Sequence, residues 1–592
     1  MTVLNAMANT RDIGSEVKET SSGTGKAVPT PRIPVKTVLT PGGRELVAAF
    51  FILLAGSAAA LFFACYQSPL YRYVPYQDAD IYMAVARAMR NGLMPYRDVF
   101  DHKGILLYFV NLLAHIIFPK AATGVYIYLS VSMALFLFFL YRISRMFLEN
   151  KPAMIAVFLV LGWIFGTEVY SDGGGSAEEY LLPCLSGCLY FFIRFIQYAE
   201  DKKTLSFRKF LIGSFLTGVF CGWMLWIKYT LIPAVGISFI LLYTYLVIRK
   251  RVKDALLSLA GVVGGVLAVS IPCLAYLARH GILDDMWAVY IEFNRKYNSD
   301  KSVVSDINKE HLIASVLPVV CLLLGMLFLR YRAKVLPARV FAGVLIFFLT
   351  IFATILLVGR YYAYYFLVFT PFYIFATGAL VFLIGLGLGR LKISLVSGKV
   401  SLPIMTLFIV TVLLLTVAAS GGRMHNQTIF ANKTKLELCA DAINEHWASR
   451  GQSGSPEIIS YLFGEKGLMD LSHTYPRHLY FYLPNALGED GKMIALEQTR
   501  YVREGTVDYI FMCGDLSHTD WVERVNPDYR PLVIIEAKYV TETVYYFVSQ
   551  ISMRKLRRTG LERSLSGNIK VTDTIAKSGI IAYNFFTGIT DN

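Results

Sequence analysis

Charge is scarce in this sequence, and long stretches of it carry none. Asp, Glu, Lys and Arg make up only 17% of its 592 residues, against about a quarter in soluble domains, which argues against an ordinary soluble fold. Cysteine is sparse too: eight residues, with no CxxC pair and no neighbouring His to complete a metal site, so zinc-ribbon and thiol-redox architectures are set aside. Cys65, Cys184, Cys188, Cys221, Cys273 and Cys321 lie in or beside apolar blocks and read as small hydrophobes. Cys439 and Cys513 fall in a later polar region and are the candidate disulfide pair, subject to geometry. No internal repeat is evident, which counts against inverted-repeat transporters. Residues 1–45, rich in Ser, Thr, Gly, Pro and Lys, lack a short apolar segment with a small-residue cleavage site. We expect a disordered cytoplasmic tail there rather than a signal peptide.

What is abundant is apolar surface. Hydrophobic residues are 55% of the chain and the mean hydropathy is +0.50, more than one soluble core needs, so a polytopic α-helical membrane protein is predicted. Blocks of the roughly 20 residues that cross about 30 Å of hydrocarbon begin near residues 46, 122, 152, 178, 210, 229, 255, 311, 338, 361 and 401, giving eleven candidate spans. The net charge of +15 resides mostly in short basic clusters between these blocks. Retention on the cytoplasmic side explains such clusters better than nucleic-acid binding does. The clusters around Arg142, Lys202, Arg249, Arg330 and Arg390 are all cytoplasmic at once only with an odd number of spans, the N-terminus inside and the C-terminal region outside. The segment GILLYFVNLLAHIIF, 104–118, is too short to cross and would invert this pattern, so it is read as a helix in the outer interface. Residues 67–121 then form one long external segment. From 421 to 552 hydrophobicity falls, and a helix-like KLELCADAINEHW, a strand-like EIISYLF, a helix-like MIALEQTRYVREG, a strand-like VDYIFMC and an alternating TETVYYFVSQ follow one another, predicting a small extracytoplasmic α/β domain. A basic tail, 553–592, follows it.

Carboxylates and cations gather in the external connections. Asp78 and Asp80 stand at the start of an amphipathic helix, DIYMAVARAMRNG, where helix capping is the plain alternative to a catalytic role. Asp98, Asp101, His102 and Lys103 follow in PYRDVFDHKG, and Glu178 and Glu179 open the fourth span from outside, where charge compensation competes with function. Lys228 is the charge between two apolar spans in GWMLWIKYTLIPAVG, and Arg360 precedes Tyr361, Tyr362, Tyr364 and Tyr365. Snorkelling and an interfacial aromatic belt are the structural readings of these; a phosphate clamp is the functional one. Acids and cations on one face suit group transfer from a membrane-embedded phosphate ester: a carboxylate takes the acceptor's proton and a cation meets the departing phosphate.

The stretches QDADIYMAVARAMRNGLMPYRDVFDHKGILLYF, GGGSAEEYLLP, WIKYT and GRYYAYYFLVFTPF, in this order over residues 46–420, resemble bacterial membrane glycosyltransferases of the GT-C superfamily, the branch akin to protein O-mannosyltransferases and lipid A aminoarabinose transferases. The resemblance implies a polyprenyl-phosphate-linked sugar as donor, a glycan, lipid or protein as acceptor, chemistry at the outer face of the cytoplasmic membrane, and inversion at the anomeric carbon. By position it makes Asp78 the general base with Asp80 as understudy, Asp101 and Lys103 acceptor or donor-phosphate contacts, Glu178 and Glu179 a second acidic position, and Lys228 and Arg360 donor-phosphate contacts. Ile105 replaces the proline that commonly follows KG, and tyrosines replace a His-Tyr pair near the tenth span, so detailed roles transfer less closely than the charges do. No cofactor is required by any spacing; the acidic residues leave Mg²⁺ or Mn²⁺ open. A flippase or transporter is the alternative of another class, but it would place charge near the bilayer midplane. An O-antigen-type polymerase or ligase is a further alternative, disfavoured by the acidic first loop and the outer domain. The sugar and the acceptor are not encoded in any pattern here.

Overall fold

The computed structural model describes residues 42–118, 120–166, 173–299, 309–358, 363–390, 402–424, 428–461, 467–484, 488–514, 521–535 and 541–547. The chain divides into two compact units, one running to Asn432 and including Tyr475–Leu479, the other made of Lys433–Thr474 and the chain from Tyr480.

The first unit is helical because a chain in hydrocarbon has no water to satisfy its amides and must bond them to itself. A helix occupies each of the eleven predicted segments: α1 (Gly43–Ala64), α4 (Ala121–Ser144), α5 (Asn150–Gly166), α6 (Ala177–Glu200), α7 (Phe207–Ile227), α8 (Ile232–Ile248), α9 (Val252–Arg279), α10 (Lys309–Leu327), α11 (Ala338–Val358), α12 (Tyr373–Arg390) and α13 (Leu402–Met424). Two more, α2 (Gln77–Arg90) and α3 (Ile105–Ile117), lie between α1 and α4. Among the described residues eight helical stretches are long and apolar enough to cross a membrane: α1, α4, α6, α7, α8 with its preceding turn, α9, α11, and the 3₁₀–α run containing Tyr364–Leu386. At 13 residues, α3 reaches only about 20 Å, as the reading of an interfacial helix requires.

The centre of this unit is α6, buried along nearly its whole length from Ala177 to Ala199. Tyr128 of α4 stacks on its Tyr180 at 5.1 Å, and its Phe192 meets Phe239 of α8 at 5.5 Å and Phe347 of α11 at 5.3 Å. Helices α7 and α9 are joined by hydroxyls, Ser214 to Ser258 at 2.8 Å and the Trp226 indole to Ser270 at 2.8 Å. A central helix with its N-terminus at one end of the bundle gives the connections around that end a fixed platform.

The second unit holds a four-stranded sheet in the order β1-β2-β4-β3, with β1 (Ile458–Ser460) parallel to β2 (Tyr509–Gly514), and β4 (Thr541–Phe547) antiparallel to both β2 and β3 (Tyr529–Ile535). Its helices are α14 (Lys435–Ser449), started by a Thr434–Glu437 capping box, and α15 (Gly488–Glu504). Ile459, Val502, Val507, Ile510 and Tyr529 make its core. The eight cysteines all lie among the described residues and none is in a disulfide, Cys439 and Cys513 included.

Candidate active site

Helix α2 begins with Tyr76 as its N-cap, and no side chain caps it. Asp78 and Asp80 therefore sit inside the first turn rather than in the capping position, where the helix dipole still favours negative charge. Their surroundings differ. Asp80 is fully buried, whereas Asp78 is partly exposed and accepts a hydrogen bond of 3.3 Å from the Tyr82 hydroxyl one turn along.

The PYRDVFDHKG stretch is a folded turn. Tyr96 adopts φ +71°, and Asp98 accepts the Met94 amide at 2.6 Å, so Asp98 holds the turn. The Tyr96 hydroxyl donates to the Lys103 carbonyl at 2.8 Å, and the Tyr108 hydroxyl donates to Asp101 Oδ2 at 2.8 Å while accepting the Lys103 amide at 3.1 Å. Asp101 is only 2% exposed. Burial pushes its carboxyl above the ordinary carboxylate range and Asp78 pushes the same way, against the opposing pull of Lys103 and the Tyr108 hydrogen bond. The Lys103 ammonium lies 3.1 Å from His102 Nε2 and 5.8 Å from the Tyr82 ring centre.

Gly104 closes this turn onto the bundle. Its amide donates to the Ile227 carbonyl at 3.0 Å, and a Cβ at this position would stand 2.0 Å from the Trp226 carbonyl oxygen. Only glycine admits so close a backbone approach, which explains the abrupt join between Lys103 and the apolar α3. On the other side, Arg97 pairs with Asp285 at 2.7 Å and the Asn294 amide donates to the His102 carbonyl at 2.6 Å. Both partners belong to the helical run Leu283–Ser299, which is π-helical over Trp287–Phe293.

The N-terminus of α6 supplies the second acidic position. Gly173, Gly174 and Gly175 all have positive φ, and a Cβ on Gly175 would meet Gln67 Nε2 at 2.3 Å and Ala79 of α2 at 2.7 Å. This loop therefore packs directly on the helix that carries Asp78. The adjacent glutamates have separate duties: Glu179 accepts the Ser176 amide at 3.0 Å in a capping box, while Glu178, 3% exposed, forms an ion pair with Lys228. Lys228 follows the last residue of α7, and its ammonium lies 4.1 Å from the Tyr365 ring centre.

These connections meet around Tyr82. Burial pushes the Tyr82 hydroxyl above its ordinary range, and Asp78, Asp101, Tyr76 and Glu178 push it further, so three carboxylates from two connections act on one hydroxyl. Tyr76 also packs edge-on against Tyr364 at 6.4 Å. The residues brought together are thus Asp78, Asp101, His102, Lys103, Glu178, Lys228 and Tyr364. Asp98 and Glu179 are engaged in the turn and the cap. Arg360 and Tyr361 lie outside the described residues. Tyr82 and Tyr108 were not singled out from sequence, and Tyr365 only as part of an aromatic belt; for Tyr82 its i, i+4 spacing from Asp78 was the available signal. Among the described residues no three His, Cys, Asp or Glu side chains converge as a metal site.

The comparisons with known proteins agree with this architecture. The family model described as dolichyl-phosphate-mannose-protein mannosyltransferase matches residues 102–276, from His102 to Tyr276. No curated protein matches. Among solved structures, ArnT from Cupriavidus metallidurans bound to undecaprenyl phosphate superposes with a TM-score of 0.55 at 13% identity, covering 85% of this chain and 98% of that one. Its apo form gives 0.54 at 12% identity, covering 84% and 98%. The oligosaccharyltransferase AglB from Archaeoglobus fulgidus, in complex with an inhibitory peptide and a dolichol-phosphate, gives 0.49 at 12% identity, covering 86% and 74%. The chain is a multi-pass membrane protein that shares the fold of ArnT, and its resemblance to O-mannosyltransferases is matched by the family model over residues 102–276.

Proposed function

We propose that this chain, taken as a GT-C fold, transfers a sugar from a polyprenyl-phosphate donor to a hydroxyl of a cell-envelope acceptor at the outer face of the cytoplasmic membrane. The observation that carries this reading is that a partly exposed carboxylate, Asp78, and the Lys103 ammonium both lie against Tyr82, while the Lys228 ammonium reaches Tyr365 from a separate connection. That the similar ArnT has been solved with undecaprenyl phosphate bound supports the donor class. The basic clusters between apolar blocks support the orientation, with the N-terminus cytoplasmic and the second unit outside.

In this mechanism Asp78 accepts the proton of the acceptor hydroxyl as its oxygen attacks the anomeric carbon. The bond from that carbon to the phosphate oxygen breaks on the opposite face, inverting the centre, and its electron pair leaves with the polyprenyl phosphate. Lys103 meets the charge that develops on the phosphate. Glu178 fixes Lys228 beside Tyr365, where it shapes the same wall. Asp101, buried and held by Tyr108, anchors the turn that presents Lys103. Arg360 and Tyr361 are kept as candidate donor contacts. No step is routed through Mg²⁺ or Mn²⁺.

The test is to incubate the full-length protein in membranes with radiolabelled polyprenyl-phosphate sugars and follow the label. Label recovered in a glycan, lipid or protein acceptor supports transfer. Label that stays on the intact donor and only changes leaflet overturns the proposal in favour of a flippase.

A further inference from the structure

We infer that His102 is a positioning residue for the donor phosphate: as the Nδ1-protonated tautomer it accepts a hydrogen bond from the Lys103 ammonium and holds that cation ready without neutralising it. This rests on the reading of Lys103 as a phosphate contact. The chemistry of the pair sets the tautomer. An ammonium has only protons to offer, so at 3.1 Å the His102 Nε2 must be the acceptor and the ring proton sits on Nδ1. That nitrogen lies 3.7 Å from Asp101 Oδ1, too far for a hydrogen bond but correctly signed for an N–H facing a carboxyl oxygen. The ring is in turn held by neighbours from the helical run Leu283–Ser299 and from its own turn. Asn294 holds the His102 carbonyl, and the Phe293 and Phe100 rings lie 5.5 Å and 6.5 Å from the imidazole.

The two lysines of the site make the consequence plain. Lys228 is paired with the Glu178 carboxylate, so that pair presents no net charge to a ligand. Lys103 is 9% exposed and, among the described residues, its ammonium's hydrogen-bond partner is a neutral imidazole. A flexible four-carbon stem is thereby ordered, and because burial holds the neighbouring Asp101 carboxyl toward its neutral form, the positive charge is kept for an incoming anion. Replacing the imidazole by a carboxylate would order the lysine equally well and cancel its charge.

The experiment measures binding of undecaprenyl phosphate to the full-length protein in lipid nanodiscs, with undecaprenol as the control lacking the phosphate. H102F, which removes the acceptor, is expected to weaken undecaprenyl phosphate binding about tenfold, the size of one charge-assisted contact, and to leave undecaprenol binding unchanged. H102Q, whose amide oxygen accepts at similar reach, recovers most of that loss, and H102E weakens binding although it holds Lys103 more firmly. In a K103M background H102F has no further effect. An H102F loss of equal size with and without Lys103 means that His102 acts only structurally and overturns the inference. If K103M weakens binding but H102F does not, the inference alone fails. If K103M binds undecaprenyl phosphate as wild type does, the role of Lys103 fails and the inference with it.

Discussion

Asp78 and Asp101 act on the same tyrosine, yet the fold treats them in opposite ways. Asp78 stands on the first turn of α2, partly exposed, with a single long hydrogen bond from Tyr82 described for it. Asp101 is enclosed in the turn before α3, bonded to Tyr108 at 2.8 Å and pressed toward its neutral form by burial. The difference teaches that a carboxylate's use depends on its commitments: Asp78 is left open to the site, as the proposed role of base requires, while Asp101 is committed to the shape of the loop.

Removing the poised carboxylate should have the largest effect. D78N is expected to lower sugar transfer by about 10²–10⁴-fold, the usual worth of a general base, with thermal stability unchanged. Transfer assayed with labelled donor checks this, and wild-type turnover by D78N would remove Asp78 from the mechanism. G104A attacks the other partner's loop instead. Its Cβ would stand 2.0 Å from the Trp226 carbonyl oxygen, and since backbone must move, a loss of about 1–3 kcal/mol or more is expected. In surviving protein, phosphate-dependent binding through Lys103 should fall while α2, and with it Asp78, keeps its place. Cross-linking or hydrogen exchange resolved by segment distinguishes the two.

D101N tests the committed carboxylate through pH. Because the folded-state pKa of Asp101 is raised above its ordinary value of 3.8, the folded protein binds this proton more tightly than the unfolded chain. The stability it contributes is full below that value and is lost as pH rises through the folded pKa. D101N keeps an oxygen for Tyr108 and has nothing to ionise. Relative to wild type it should therefore gain stability as pH rises from below 4 to neutrality, a trend that melting temperatures in detergent would show. A gap that is constant with pH would mean Asp101 is not held toward its neutral form.

Much of this was legible in the sequence, for reasons that separate local from distant causes. Helices announced themselves as apolar blocks, and α3 was legible as a short one because 13 residues cannot cross. In the second unit β1, β2, β4, α14 and α15 follow the predicted patterns, but β3 was missed: Pro531 breaks its alternation, tolerated because β3 is an edge strand with a register shift at that residue. The compact units divide after Asn432, so residues 428–432 go with the first. Tyr71 bridges to Thr428 and Arg72 binds the Ala431 and Asn432 carbonyls, tying that stretch back to the first unit. Which of two adjacent glutamates caps a helix and which pairs with Lys228 was not legible, since the ion pair joins residues 50 apart.

The smallest effect concerns the link between the two aspartates. Tyr82 is buried on α2 and its hydroxyl reaches Asp78 at 3.3 Å, while Lys103 lies over its ring. Y82F removes the hydroxyl and keeps the ring. A long neutral donor contributes little, so transfer is expected to change only about two- to fivefold, within the roughly 0.5–1.5 kcal/mol of an ordinary hydrogen bond. A loss well beyond fivefold would show that the Tyr82 hydroxyl holds Asp78 in place for the acceptor. No change in the rate of transfer would show that Tyr82 serves Asp78 only as packing.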